Sequence, residues 1–164
     1  MIAKDTAPKC VLLLIANGYE EIEAVTLLST LRQAGLCVKC VGLTSGLVGG
    51  VHGVWLMPDL SFANLDRLLK SSDITLVILP DGRQSLTSLE VDPRVHRLLR
   101  RVVAQGAQIV ATTEGLSLLQ AADIYSKTSV EANNLQEILV RDPAKSPQDF
   151  AQDLIRRLLQ SPRA

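Results

Sequence analysis

Aromatic residues are scarce. Two Phe, two Tyr and one Trp make up 3% of the 164 residues, which leaves no set of stacking platforms for single-stranded nucleic acid. There is no charge excess: 17 Lys and Arg balance 17 Asp and Glu, so no general attraction to a phosphate backbone is expected. The three cysteines are odd in number and show no CxxC…CxxC spacing. A disulfide framework and a structural metal centre are therefore not expected, and a reducing cytoplasm is the natural compartment. No apolar run reaches transmembrane length. "CVLLLIA" (10–16) follows two lysines but is short, has no small-residue cleavage signal and runs into "NGYEEIE", so it reads as a buried strand. "GLTSGLVGG" (42–50) is glycine-rich but lacks a P-loop lysine, and is expected to be a hairpin-type connection between strands.

What the chain does have is apolar content, 47% against 21% charged, enough for one domain spanning 1–164 with a sizeable core. Short continuous apolar blocks at 10–16, 36–42, 73–80 and 108–112 have the look of strands covered on both faces. "VHGVWLMP" (51–58) is a strand candidate nearer an edge, and "EILVRDP" (137–143) supplies a last one. Helical patterns lie between them. Residues 19–35 carry Ile22, Val25, Leu28 and Leu31 on one face and stop at Gly35. Residues 61–72 form a shorter helix. "DPRVHRLLRRVVAQG" (92–106) opens with a cap and a first-turn proline, and 146–160 begins in the same style with Ser146 and Pro147. Strands alternating with helices predict an open, mostly parallel sheet between two helix layers. Ligands bind such sheets at the carboxyl ends of the strands. Three turns should meet there: "ANGYEEIE", "LPDGRQ" and "ATTEGLS".

In this order, the three turns resemble the PfpI-like superfamily, which includes the Parkinson-disease deglycase and class I glutamine-amidotransferase relatives. "VLLLIANGYEEIEAVTLLSTLRQAGLCVKCVGL" is similar to its first strand, G-x-E-E-x-E turn, helix and second strand. "VILPDG" resembles a strand ending in Leu-Pro-Gly-Gly, "IVATTEGLSLLQAA" the nucleophile elbow, and "ILVRDPAKSPQDFAQDLIRRLL" the closing strand and helix. The resemblance implies an α/β, flavodoxin-like three-layer sandwich. It puts Glu23 at the pocket glutamate, Thr113 at the nucleophilic cysteine, and Glu114 at a small residue whose N–H helps an oxyanion hole. Asp81 falls at the first glycine of the Pro-Gly-Gly turn, and Gly82 keeps the second. A family segment that often carries a histidine is shortened in "QAADIYSKTSVEANNLQEILV", and neither His52 nor His96 is placed to replace that histidine.

A threonine hydroxyl needs a base within hydrogen-bond reach before it can attack. A β-branched residue is also disfavoured at a strained elbow, so the turn is expected to have relaxed. Glu20 and Glu21 read as helix-start carboxylates that favour the positive end of the dipole. Asp81 and Glu114 either cap the helices that follow them or converge with Glu23 on an acidic cavity, where ionisation would be mutually opposed. Cys37 and Cys40 point to opposite faces of one strand, and all three cysteines read as packed thiols. His96 is expected on a solvated helix face. The expectation is a catalytically inactive PfpI-like pseudoenzyme that binds protein as a regulatory, scaffold or assembly factor. It would have vestigial pocket residues Glu23 and Thr113, no metal and no cofactor. Binding in that pocket would involve Glu23, Asp81, Gly82, Thr113 and Glu114. A homodimer or a protein partner is expected, with no nucleic acid and no membrane insertion. The alternatives are a weak hydrolase, lyase or glyoxalase using Glu23 and Thr113, and a small-ligand or cation sensor using the acidic pocket.

Overall fold

The computed structural model describes residues 7–125 and 138–160. Its centre is β1 (Lys9–Ile15), where every residue after Lys9 is buried. To one side lie β2 (Val38–Gly42) and the two-residue β5 (Leu60–Ser61). To the other lie β6 (Asp73–Leu79), β7 (Gln108–Ala111) and β8 (Ile138–Val140). The order is β5-β2-β1-β6-β7-β8 and every pairing is parallel. The strand order reverses between β1 and β6, so the turns leaving those two strands flank the crevice where such sheets bind ligands.

Alternation along the strands sorts the core into two faces. Leu12, Leu14, Val77, Leu79 and Ile109 pack under α3 (Arg83–Glu90), α4 (Pro93–Ala104) and α5 (Leu116–Ala121). Val11, Leu13, Ile15, Ile78 and Val110 pack under α1 (Glu21–Gln33) and α6 (Pro147–Gln160). A short helix, α2 (Asp66–Ser71), precedes β6. Local signals set the helix ends. Asp92 accepts a hydrogen bond from Arg94 N with Pro93 in the first turn, Ser146 Oγ accepts one from Asp149 N, and Gly35 leaves α1 at φ +83°. Among the described residues no helix is long and apolar enough to cross a membrane.

Several expectations change. Residues 51–58 join no edge of the main sheet: Trp55–Leu56 form β4, paired antiparallel with β3 (Val48–Gly49) as a separate hairpin. The glycine-rich 42–50 stretch therefore contributes a strand of its own. Helix α3, expected only as a helix after Asp81 and without bounds, is not capped by it and starts from Gly82 with no side-chain cap. Cys37 is exposed rather than packed. On α1, the buried face is Ala24, Leu27, Leu28 and Leu31, together with Glu21 and Glu23, while Ile22 and Val25 are 66% and 41% exposed. Two carboxylates drawn inward by hydrogen bonds rotate the first turn of the helix away from its apolar periodicity. His96 is only partly exposed, with its Nε2 2.6 Å from Glu90 O.

The turns after β1 and β6 interlock. Glu20 N donates to Asp81 O at 2.9 Å, and a Cβ on Gly82, whose φ is +122°, would lie 2.3 Å from Gly18 O. Gly82→Ala is expected to destabilise the fold by at least ~1–3 kcal/mol through backbone strain with the steric clash in addition, read as a lower urea midpoint.

Candidate functional site

Glu23 lies in the first turn of α1, directly behind the first strand-to-helix turn, and is 3% exposed. Its Oε2 accepts a hydrogen bond from Asp81 N at 2.9 Å. Its Oε1 lies 3.4 Å from Arg141 Nε, an ion pair between side chains only 4% and 9% exposed. Among the described residues that Nε has no hydrogen bond, so the pair is a charge contact without directed geometry. Arg141 follows β8, its N–H donating to Ala111 O at 2.8 Å. The guanidinium packs over the Phe150 ring and donates from Nη2 to Lys145 O at 3.1 Å. Burial pushes the Glu23 carboxyl up. The Asp81 N–H and the Arg141 charge pull it down, Asp81 and Glu20 push it further up, and the net direction is upward.

The other anticipated residues separate. Asp81 is at Glu23's side through its backbone, while its own Oδ1 accepts from Gly82 N at 2.9 Å. Glu114 is half exposed and faces Arg83 at 3.8 Å, on the wall of a shallow depression of about 230 Å³ that also involves Glu90 and Ser117. Thr113 is exposed. Among the described residues its hydroxyl has no hydrogen bond to Glu23, and Thr113 is not at positive φ, where Asp123 alone stands among non-glycine residues. The backbone at this turn is relaxed. The buried neighbour is Thr112, 7% exposed, whose Oγ1 lacks a partner. The three carboxylates thus do not share one cavity: Asp81 reaches Glu23 through its N–H, Glu114 stands apart, and Arg141 already faces Glu23. The shortened stretch after α5 falls largely in 126–137, outside the described residues.

Glu21 has a larger role than its place at a helix start suggests. It is 5% exposed. Its Oε1 accepts from His52 N at 2.5 Å and Val54 N at 3.2 Å, and its Oε2 lies 2.8 Å from His52 Nδ1. Glu20 Oε1 is 3.8 Å from the same nitrogen. The three side chains could in principle share a cation, but the observed hydrogen bonds already use Glu21 to pin the β3–β4 hairpin onto α1. Burial would raise the Glu21 carboxyl; the hydrogen bonds from His52, from its own N–H and from Val54 outweigh it and hold it at about 2. The hydrogen bond and charge of Glu21 raise the His52 imidazole.

Taken together, these features define a parallel α/β sandwich whose buried glutamate sits at the topological switch point, beneath a strand-to-helix elbow. The model of the DJ-1/PfpI family matches residues 9–140, and the chain belongs to that family. The "Parkinson disease protein 7 homolog" of Danio rerio is 31% identical over 124 residues, 74% of this chain and 64% of that protein, so the match spans a little under two thirds of that relative's length. A deglycase of Thermococcus kodakarensis is 23% identical over 136 residues, covering 83% of this chain and 76% of the relative. The solved structure of oxidized Toxoplasma gondii DJ-1 superposes with a TM-score of 0.74 at 22% identity, over 91% of this chain and 90% of that one.

Two outcomes follow. Arg141→Met leaves Glu23 buried without its countercharge and should cost about 3 kcal/mol near neutral pH. Because a carboxyl raised in the folded state stabilises below its unfolded value and loses that contribution as pH rises through the folded one, the deficit should shrink as pH falls, and Glu23→Gln should abolish the pH dependence; urea melts across pH measure both. For the hairpin, the lowered Glu21 carboxyl contributes above its ordinary value of 4.5 and fails as pH falls toward about 2. The raised His52 contributes below its ordinary 6.5 and fails as pH climbs through its folded value. Protection of the amides at residues 52 and 54, taken relative to their intrinsic exchange rates at each pH, should therefore be greatest between those limits, and His52→Ala should remove the loss of protection on the alkaline side.

Proposed function

We propose that this chain acts by binding, as a DJ-1/PfpI family member without covalent chemistry at its elbow. One observation carries the reading: the Glu23 carboxylate is engaged by Asp81 N–H and Arg141, while Thr113 stands exposed with no hydrogen bond to it. A base held elsewhere cannot deprotonate a threonine hydroxyl, and an alcohol is inert as a nucleophile without one. An exposed elbow bearing the Glu114 carboxylate also opposes the negative charge that an acyl-transfer intermediate would develop. The alternative, a weak hydrolase, lyase or glyoxalase using Glu23 and Thr113, draws on the deglycase name of the Thermococcus relative.

The binding surface in this reading is the end where α1 meets the hairpin. Ile22, Val51, Val54 and Trp55 are 51–66% exposed there, on elements joined by the Glu21 hydrogen bonds. Apolar side chains grouped at one end of a molecule mark contact sites, and the occupant proposed is a second copy or another protein.

Turnover of methylglyoxal and of an activated ester should stay at the buffer rate for the native chain, Thr113→Ala and Glu23→Gln alike; loss of a measurable rate in Thr113→Ala would establish the enzymatic alternative. Trp55 is the only tryptophan. Its emission should shift to the blue as the chain self-associates at micromolar concentration, and Ile22→Asp should hold it at the monomer value, with light scattering as the parallel readout.

A further inference from the structure

We infer that Cys10 and Cys37 form a peroxide-responsive dithiol at the end of the sheet opposite the candidate site, with Cys37 as the sulfur oxidised first and Cys10 as its resolving partner. The strand register carries this. Val11 pairs with Val38 across β1 and β2, and Val11 N donates to Cys37 O at 2.8 Å. Extended back by one residue, to Cys10 on β1 and to Cys37 just before β2, that register sets the two cysteines side by side. Neighbouring strands run about 4.8 Å apart, inside the roughly 4.4–6.8 Å window of Cα separations that a disulfide spans.

The faces agree as well. Val11 and Val38 belong to the core under α1 and α6, whereas Cys10 belongs to the opposite core with Leu12 and Leu14. Period-two alternation turns Cys37 away from Val38 and toward the side of Cys10, close enough for the Cys37 thiol to raise that of Cys10. Cys40 packs on the other face and takes no part.

Exposure assigns the order of events. Cys37 is exposed, on the wall of a cleft of about 960 Å³ shared with Lys9 and Asp73. Cys10 is 1% exposed, and burial, then its neighbour Cys37, push its thiol up to about 12, so it is a poor first nucleophile. The Cys37 sulfur attacks hydrogen peroxide; the O–O bond breaks, hydroxide leaves and takes up the thiol proton as water, and a sulfenic acid remains. The Cys10 sulfur then attacks that sulfur. The S–S bond forms, the S–O bond breaks, and the departing hydroxide leaves with the Cys10 proton as a second water. One peroxide is reduced and two thiols are oxidised, and a dithiol reductant reverses the change.

Trypsin separates the three cysteines, because Lys9, Arg32, Lys39 and Arg67 bound their peptides. The full chain is treated with hydrogen peroxide and its peptides are mapped by mass. The expected result is one intramolecular disulfide joining the Cys10 and Cys37 peptides, with two hydrogens lost, Cys40 still free and full reversal by dithiothreitol. Cys37→Ser should leave Cys10 a free thiol under the same treatment, and Cys10→Ala should leave a Cys37 sulfenic acid that dimedone traps. The native chain decides the matter even where Cys10→Ala fails to fold. Cys37 advancing to sulfinic acid beside a free Cys10, a disulfide between two copies, or three unmodified thiols would each overturn the inference.

Discussion

A carboxylate that is 3% exposed has to be answered by something, and the arrangement of the upper end of this molecule follows from how Glu23 is answered. The Asp81 N–H fixes the turn after β6 against the turn after β1, and Arg141 brings the end of β8 across the sheet to supply a positive charge. Removing a charge from water is costly unless it is paired and hydrogen-bonded. Those two contacts therefore act together, one directional and one electrostatic, and they tie three strand ends to a single oxygen pair. The same commitment withdraws Glu23 from the elbow. Thr113 is left in solvent and Thr112 is buried beneath with an unpartnered hydroxyl.

Glu21 repeats the device on the outer side of α1. Its oxygens accept two hairpin N–H groups and contact the His52 ring, so a polar anchor holds the hairpin in place with Val48 in the core and Val51, Val54 and Trp55 facing outward. Helix α1 pays for both carboxylates in hydrophobic register, because turning Glu21 and Glu23 inward turns Ile22 and Val25 outward. The exposure of Ile22 and Val25 is thus a consequence of the buried acids.

Much of the fold was legible because it is periodic. "CVLLLIA" and "DITLVILP" are apolar on both faces and became the two central strands, and Asp92-Pro93 and Ser146-Pro147 marked helix starts through local chemistry. The bounds of helix α3 escaped because "RQSLTSLE" is polar and begins from Gly82 without a side-chain cap. The hairpin escaped because its strands are two residues long and lie off the main sheet. At the site, Glu23 and Asp81 were identified by motif, whereas Arg141 gave no signal: it is a lone basic residue after a short strand, far along the chain from its partner. Glu21 was hidden by an adequate local explanation, the helix dipole. The approach of Cys10 to Cys37 depends on inter-strand register, which no single segment encodes.

The account turns on which group Glu23 answers to. Following the Glu23 side-chain carboxyl carbon by NMR across pH tests that directly. A midpoint above the ordinary carboxylate range, raised further by Arg141→Met and unmoved by Thr113→Ala, is the predicted result. An ordinary midpoint, or one that shifts when Thr113 loses its hydroxyl, would mean that the glutamate is coupled to the elbow after all and would contradict the account.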